Sequence, residues 1–247
     1  MKIEFFGTAG YHPSAQRHTS CVYISGVTPE EDFVLDAGTG FFRLIGRPLP
    51  RRLHIFLSHA HLDHVVGLTF LYNVLLGQKT ELCVYGTAKT LGTIQHHLFN
   101  SPLFPLTWRY PVCAIEAGES FEVGGAQVET FMLTHPGDSL AYRFNWPQKS
   151  LAYVTDTAGD ARYAEFIQDV DLLLHERNFS DDLNEVADLS GHCTSEAIVR
   201  VARASHAKQI VLTHFNPLTQ TDPLEEDALR EQLPGVICAY DGLELKF

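Results

Sequence analysis

Four side chains able to bind a metal fall within six residues, His59-Ala60-His61-Leu62-Asp63-His64. The run before them, Leu53-His54-Ile55-Phe56-Leu57-Ser58, reads as a buried strand, and the apolar run from Val65 reads as part of a helix over Asp63–Leu76. The ligands therefore sit on a strand-to-helix turn, a place where rigid elements present chemistry. Alternation puts His59 and His61 on one side of an extended segment. Asp63 is expected to open the helix as its N-cap, so that Asp63 and His64 point differently from the first pair. That division suits two metal ions a few ångströms apart better than one.

Composition bounds the remaining possibilities. At 247 residues, 45% hydrophobic and 19% charged, the chain is long enough to bury a substantial core as one soluble domain over residues 1–247. A net charge of -12 argues against broad binding to a phosphate backbone, which needs clustered cations. The N-terminus enters a strand at once, with no secretory signal pattern. No apolar run reaches membrane-spanning length. The five scattered cysteines (Cys21, Cys83, Cys113, Cys193, Cys238) contain no Cys-x-x-Cys and read as reduced thiols of a cytoplasmic protein.

Along the chain, strands are expected at 2–7, 21–25, 33–36, 81–85, 112–115, 126–134, 139–145, 150–155, 170–175 and 208–213. Helices are expected at 41–45, 87–99, 161–168, 194–205 and from Asp222-Pro223 to Leu233. Asp241-Gly242 reads as the turn of a closing hairpin, 235–239 with 243–247. Without repeat or linker, this alternation predicts an α/β (α+β) chain with helices outside two central sheets.

Two metals need further ligands, and three strands each deliver one at the C-terminal tip. His135 follows Val128–Thr134, Asp156 follows Leu151–Thr155, and His214 follows Ile210–Thr213. The His-x-His-x-Asp-His motif followed by His135, Asp156 and His214, in that order, resembles the metallo-β-lactamase-fold hydrolases over nearly the whole chain. The resemblance implies a four-layer αββα sandwich. It implies one metal on His59, His61 and His135, the other on Asp63, His64 and His214, and Asp156 bridging them with a water or hydroxide. Zinc (Zn2+) is the default for such ligands, and Mn2+ and Fe2+ share them.

The segment Leu133-Thr134-His135-Pro136-Gly137-Asp138 is similar to the phosphodiesterase branch, notably ribonuclease Z, and departs from the Gly-His-Thr-x-Gly of thiolesterases and lactamases. Tyr153-Val154-Thr155-Asp156-Thr157, His175-Glu176-Arg177-Asn178-Phe179, Gly191-His192-Cys193-Thr194 and Arg17-His18-Thr19-Ser20 resemble elements of the same branch. Ribonuclease Z carries its tRNA-gripping arm between the third-motif histidine and the bridging aspartate. Here those residues are 156 − 135 = 21 positions apart, room for a hairpin alone. The expected substrate is therefore a small phosphodiester, a cyclic nucleotide or short nucleotide, and large nucleic acids are disfavoured.

Two divalent ions would lower the pKa of the bridging water to about 7 and clamp the phosphoryl oxygens for hydroxide attack. His192 is the candidate general acid and Glu176 the carboxylate that orients it, with Asp63 counted among the catalytic residues as well as the ligands. His175, which ends an apolar strand, reads as core or as a residue just behind the ligands. His12, His18, His54, His96, His97 and His206 read as loop, surface or helix-face residues. Arg143 reads as a structural partner of Asp138 or another carboxylate, and Pro102–Trp108 as either a substrate wall or a loop packed on the core. A homodimer is implied by the resemblance alone. Competing readings are a tRNA 3′-end endonuclease, a lactone, thioester or sulfate-ester hydrolase on the same metals, and a metal-binding protein without turnover.

Overall fold

The structure, a computed structural model, describes residues 1–218 and 227–247. The chain divides into two compact units, residues 1–117 with 241–247 and residues 118–240. Each is built on a seven-stranded mixed sheet.

The first sheet contains β1 (Lys2–Gly7), β2 (Cys21–Thr28), β3 (Glu31–Leu35), β4 (Arg52–Phe56), β5 (Glu81–Gly86), β6 (Val112–Ala114) and, at its edge, β14 (Glu244–Lys246) in the order β14-β1-β2-β3-β4-β5-β6. The pairings from β14 to β3 are antiparallel and those from β3 to β6 parallel. Its core packs Val34, Leu53, Ile55 and Val84 of the sheet against Phe41, Leu68, Leu71, Leu91 and Ile94 of the helical segments. Phe104 and Trp108 dock on this core, their rings 5.0 and 4.9 Å from that of Phe99, which favours the packed reading of Pro102–Trp108.

The second sheet contains β7 (Ser120–Val123), β8 (Ala126–Met132), β9 (Leu140–Trp146), β10 (Lys149–Val154), β11 (Leu172–Glu176), β12 (Ile210–Thr213) and β13 (Ile237–Cys238), ordered β13-β12-β11-β10-β9-β8-β7. Here β7 to β10 pair antiparallel and β10 to β13 parallel. The helix Ser195–Ser205 lays Ala197, Ile198, Val201 and Ala202 on Ala152, Val154, Leu173 and Leu212, the amphipathic face read from the sequence. Thr194 caps it, its hydroxyl accepting from the Ala197 amide.

Several expectations are corrected. The helix after the histidine turn is broken into Leu62–Val65, a 3-10 turn at Val66–Phe70 and Leu71–Val74. Backbone groups that would continue an α-helix are taken by a neighbouring loop: the Ala37 amide donates to the His64 carbonyl at 2.7 Å and the Gly67 amide to the Ala37 carbonyl at 2.8 Å. The approach is so close that a Cβ on Gly67 would meet the Gly38 oxygen at 2.2 Å. His61, not Asp63, holds the N-cap position. Residues 87–99 form a helix at Ala88–Thr93 that widens into a π turn at Ile94–Leu98. The expected helix 161–168 is only a 3-10 turn, Ala161–Tyr163, and a helix at Asn184–Ser190 was not anticipated.

The closing hairpin is absent among the described residues. β13 pairs parallel with β12, whereas β14 pairs antiparallel with β1, so the Asp241-Gly242 turn joins strands of different sheets. The final helix is described over Asp227–Gln232; the start expected at Asp222-Pro223 lies outside the described residues. Arg143 donates to the Phe166 and Gln168 carbonyls and approaches Glu129, at 4.0 Å, rather than Asp138.

Candidate metal centre

Most candidate ligands lie where parallel strands end, at their carboxyl tips, the usual location of sites in sheets of this kind; His135 instead follows the antiparallel strand β8. In the first unit the turn after β4 carries all four. His59 and His64 are fully buried, and the His59 ring lies 4.4 Å from that of His61 and 4.3 Å from that of His64, centroid to centroid. The Nε2 of His64 is 3.3 Å from Asp63 Oδ2.

The turn is held from below by Asp36, the residue after β3, which is completely buried. Its Oδ1 accepts from the Ser58 amide at 2.7 Å, the Ser58 hydroxyl lies 2.8 Å from Oδ2, and His64 Nδ1 donates to Oδ2 at 2.7 Å. Ser58 Oγ also lies 3.0 Å from His59 Nδ1. A carboxylate behind an imidazole fixes the ring, sets its tautomer and leaves Nε2 as the donor atom for a metal. In the sequence Asp36 ends the strand expected at 33–36 and opens Asp36-Ala37-Gly38-Thr39-Gly40, which reads as an ordinary tight turn. The signal that could have found it is the one that found the others, an acidic side chain immediately after an apolar strand.

In the second unit the candidate ligands follow three separate strands. Asp156 follows β10 and His214 follows β12, both with left-handed backbones at φ 50° and 55°. Such strain costs about 1–3 kcal/mol per residue and gathers at functional sites. The two oxygens of Asp156 face different histidines: Oδ1 is 3.2 Å from His214 Nε2 and Oδ2 is 3.6 Å from His135 Nε2. Again the far ring nitrogens are occupied. His135 Nδ1 donates to the Gly191 carbonyl at 3.0 Å, and His214 Nδ1 lies 3.2 Å from the Asn178 amide nitrogen.

His192, half-buried, completes this group: donor atoms of Asp156, His192 and His214 all lie within 4.8 Å of one another. Its Nδ1 is 3.1 Å from Glu176 Oε2 and 3.2 Å from Oε1, and Glu176 is wholly buried. The Thr157 amide donates to Glu176 Oε1 at 2.6 Å and keeps the carboxylate in place. Gly191, the left-handed residue (φ 73°) closing the helix Asn184–Ser190, sets the approach of His192. A Cβ there would strike the Pro136 ring at 2.6 Å, so glycine is required.

Beneath, His175 is completely buried and takes the core role expected of it. Its Nδ1 donates to the Glu176 carbonyl at 2.7 Å and its Nε2 accepts from the Tyr163 hydroxyl at 2.8 Å. Burial holds its pKa below the usual histidine value and pushes that of Tyr163 well up, so both stay neutral.

The donor set fits divalent metal in each unit. Imidazole Nε2 atoms flank carboxylate oxygens at 3.2–3.6 Å, and the opposite ring nitrogens of His64 and His135 are engaged in hydrogen bonds to acceptors.

Comparisons with known proteins agree with this chemistry. Residues 32–215 match the family model described as the beta-lactamase superfamily domain. Ribonuclease Z of Methanosarcina acetivorans is 25% identical over an alignment of 303 positions taking in 100% of this chain and 98% of the relative. The metallo-beta-lactamase fold protein YhfI from Bacillus subtilis superposes with a TM-score of 0.82 at 22% identity, covering 99% of this chain and 98% of YhfI. The short form of human tRNase Z gives 0.75 at 23%, covering 100% and 99%. At these identities the structural likenesses establish the fold, which is the metallo-β-lactamase fold.

Proposed function

Because the chain belongs to the β-lactamase superfamily, we propose that it is a dinuclear metal-dependent hydrolase that cleaves a small phosphodiester, a cyclic nucleotide or short nucleotide. In this proposal the two units act as one domain, residues 1–247. One ion would be held by His59, His61 and His135 and the other by Asp63, His64 and His214, with Asp156 available to both. The observation that carries the reading is the Asp156 carboxylate with one oxygen toward each of two anchored histidines. Bound there, divalent ions supply charge neutralisation at the phosphoryl group and a water of lowered pKa.

The chain's own residues supply the proton. Glu176 engages His192 Nδ1 and orients the ring, so Nε2 is the position that passes the proton. His192 Nε2 then protonates the leaving oxygen, a contribution of about 10²–10⁴-fold.

Three features support a small substrate. The residues between His135 and Asp156 are accounted for by the β9–β10 hairpin and its flanking turns. The alignment with the Methanosarcina enzyme has 303 positions against 247 residues here, leaving 56 without a counterpart in this chain. The net charge is -12. Because relatives are named ribonuclease Z and tRNase Z, a tRNA substrate is the second reading.

The same proposal places the protein in the cytoplasm with zinc, manganese or iron as the metal, and as a homodimer. None of the five cysteines forms a disulfide, and among the described residues no helix is long and apolar enough to cross a membrane.

The test is metal analysis followed by assays on a bis-aryl phosphodiester, a precursor tRNA, a thioester and a lactone. Phosphodiester cleavage that drops in His192→Ala with metal retained is the expected result. Turnover confined to thioesters or lactones would overturn the reading, precursor-tRNA cleavage alone would select the second one, and inactivity on all four would leave a metal-binding protein.

A further inference from the structure

The segment between β1 and β2 holds a residue that the proposed chemistry does not use. Tyr11 has φ 62°, a left-handed backbone that bulky side chains rarely adopt. Its amide donates to Asp63 Oδ2 at 2.7 Å, on the histidine turn. Its ring is 78% exposed and meets the His12 ring edge-on at 5.2 Å. Leu62, between two candidate ligands, is 65% exposed.

The loop is tied at its base. Ala9 bridges Thr19, and the Arg17 guanidinium donates to the Thr8 hydroxyl at 2.6 Å. Asp241 accepts from the Thr8 hydroxyl and the His18 amide, each at 2.7 Å.

The amide contact explains the strained backbone but not the ring. Glycine would give Asp63 the same hydrogen bond with no steric conflict. A side chain held in a strained conformation, with its amide on a candidate ligand and its aromatic surface in water, is explained by what binds there. Base-to-aromatic stacking is the contact such a ring offers, and it accepts every base because each has a π face.

We propose that Tyr11 is a specificity-determining residue whose amide fixes Asp63 and whose ring stacks on the base of the substrate, so that the site selects nucleoside phosphodiesters over base-free ones. This rests on the phosphodiesterase reading.

The test compares kcat/KM for a nucleoside 2′,3′-cyclic phosphate with that for methyl riboside 2,3-cyclic phosphate, which lacks the base. In Tyr11→Gly, where the backbone relaxes and the Asp63 bond is kept, the ratio of the two should fall about tenfold. Tyr11→Phe should restore it. An unchanged ratio in Tyr11→Gly overturns the proposal.

If the wild-type protein hydrolyses neither compound, the phosphodiesterase reading fails by itself. Calorimetric binding of AMP and of ribose 5-phosphate then decides the role of Tyr11. Selective loss of AMP affinity in Tyr11→Gly supports it, and equal affinities in wild type and variant refute it.

Discussion

Each unit buries one carboxylate completely beneath a histidine, and the two pairs differ in what the histidine can reach. Asp36 backs His64, whose side chain is 0% exposed; Glu176 backs His192, whose side chain is 15% exposed. A sealed imidazole with its far nitrogen fixed is suited to holding a metal. A partly open one with the same support is suited to passing a proton to something that enters and leaves. The same carboxylate–histidine device is thus suited to two purposes, separated by solvent access.

The largest expected effect comes from the residue the ligand assignment depends on most. Asp156→Ala should lose bound metal, read by elemental analysis, and with it activity; full occupancy in that variant would break the assignment. Next, His192→Ala should lower kcat by about 10²–10⁴-fold while keeping its metal. Loss of metal instead would make His192 a ligand and erase the contrast with His64.

Substituting the carboxylates sharpens the contrast. Asp36→Asn should weaken metal affinity by about 10–100-fold, with activity recovered in excess metal. Glu176→Gln should instead lower kcat with metal retained, and excess metal should not restore it.

The smallest effect concerns stability. Burial lowers the pKa of His175 from the ordinary value of 6.5, so the neutral folded form is favoured above that pH. As pH falls below 6.5 the unfolded chain binds the proton first, and stability is lost down to the folded pKa. Thermal melts should therefore show a Tm decreasing from pH 7 to 5, with a shallower slope in His175→Gln.

The first half of the candidate site was legible because its four candidate ligands are local in sequence, flanked by an apolar strand. The second half was legible only by a rule, a ligand-type side chain at the tip of an apolar strand, applied to His135, Asp156 and His214. That rule also pointed to Asp36, whose flanking glycines made it look like ordinary turn chemistry. What could not be read was governed by contacts between distant segments. The helix after His64 is interrupted because Ala37 takes its hydrogen bonds. The closing hairpin fails because β13 and β14 find longer-range partners in Leu212 and Lys2. The helix Asn184–Ser190 leaves Val186 and Leu189 exposed, at 47% and 85%, so it carries little of the apolar stripe that would have announced it.

The Asp241-Gly242 turn has a consequence for how the molecule is made. Residues 241–247 belong to the unit begun at residue 1, yet the ribosome delivers them only after the whole of Gly118–Tyr240. At ordinary elongation rates that is a delay on the order of ten seconds. Until then the loop bearing Tyr11 lacks Asp241, the acceptor for Thr8 and His18, and β1 lacks its edge neighbour. The nascent chain thus spends its synthesis with an open strand edge and the Tyr11 loop untied at its base. A chain stopped before Asp241 should be both prone to edge-to-edge association and poor at discriminating ligands.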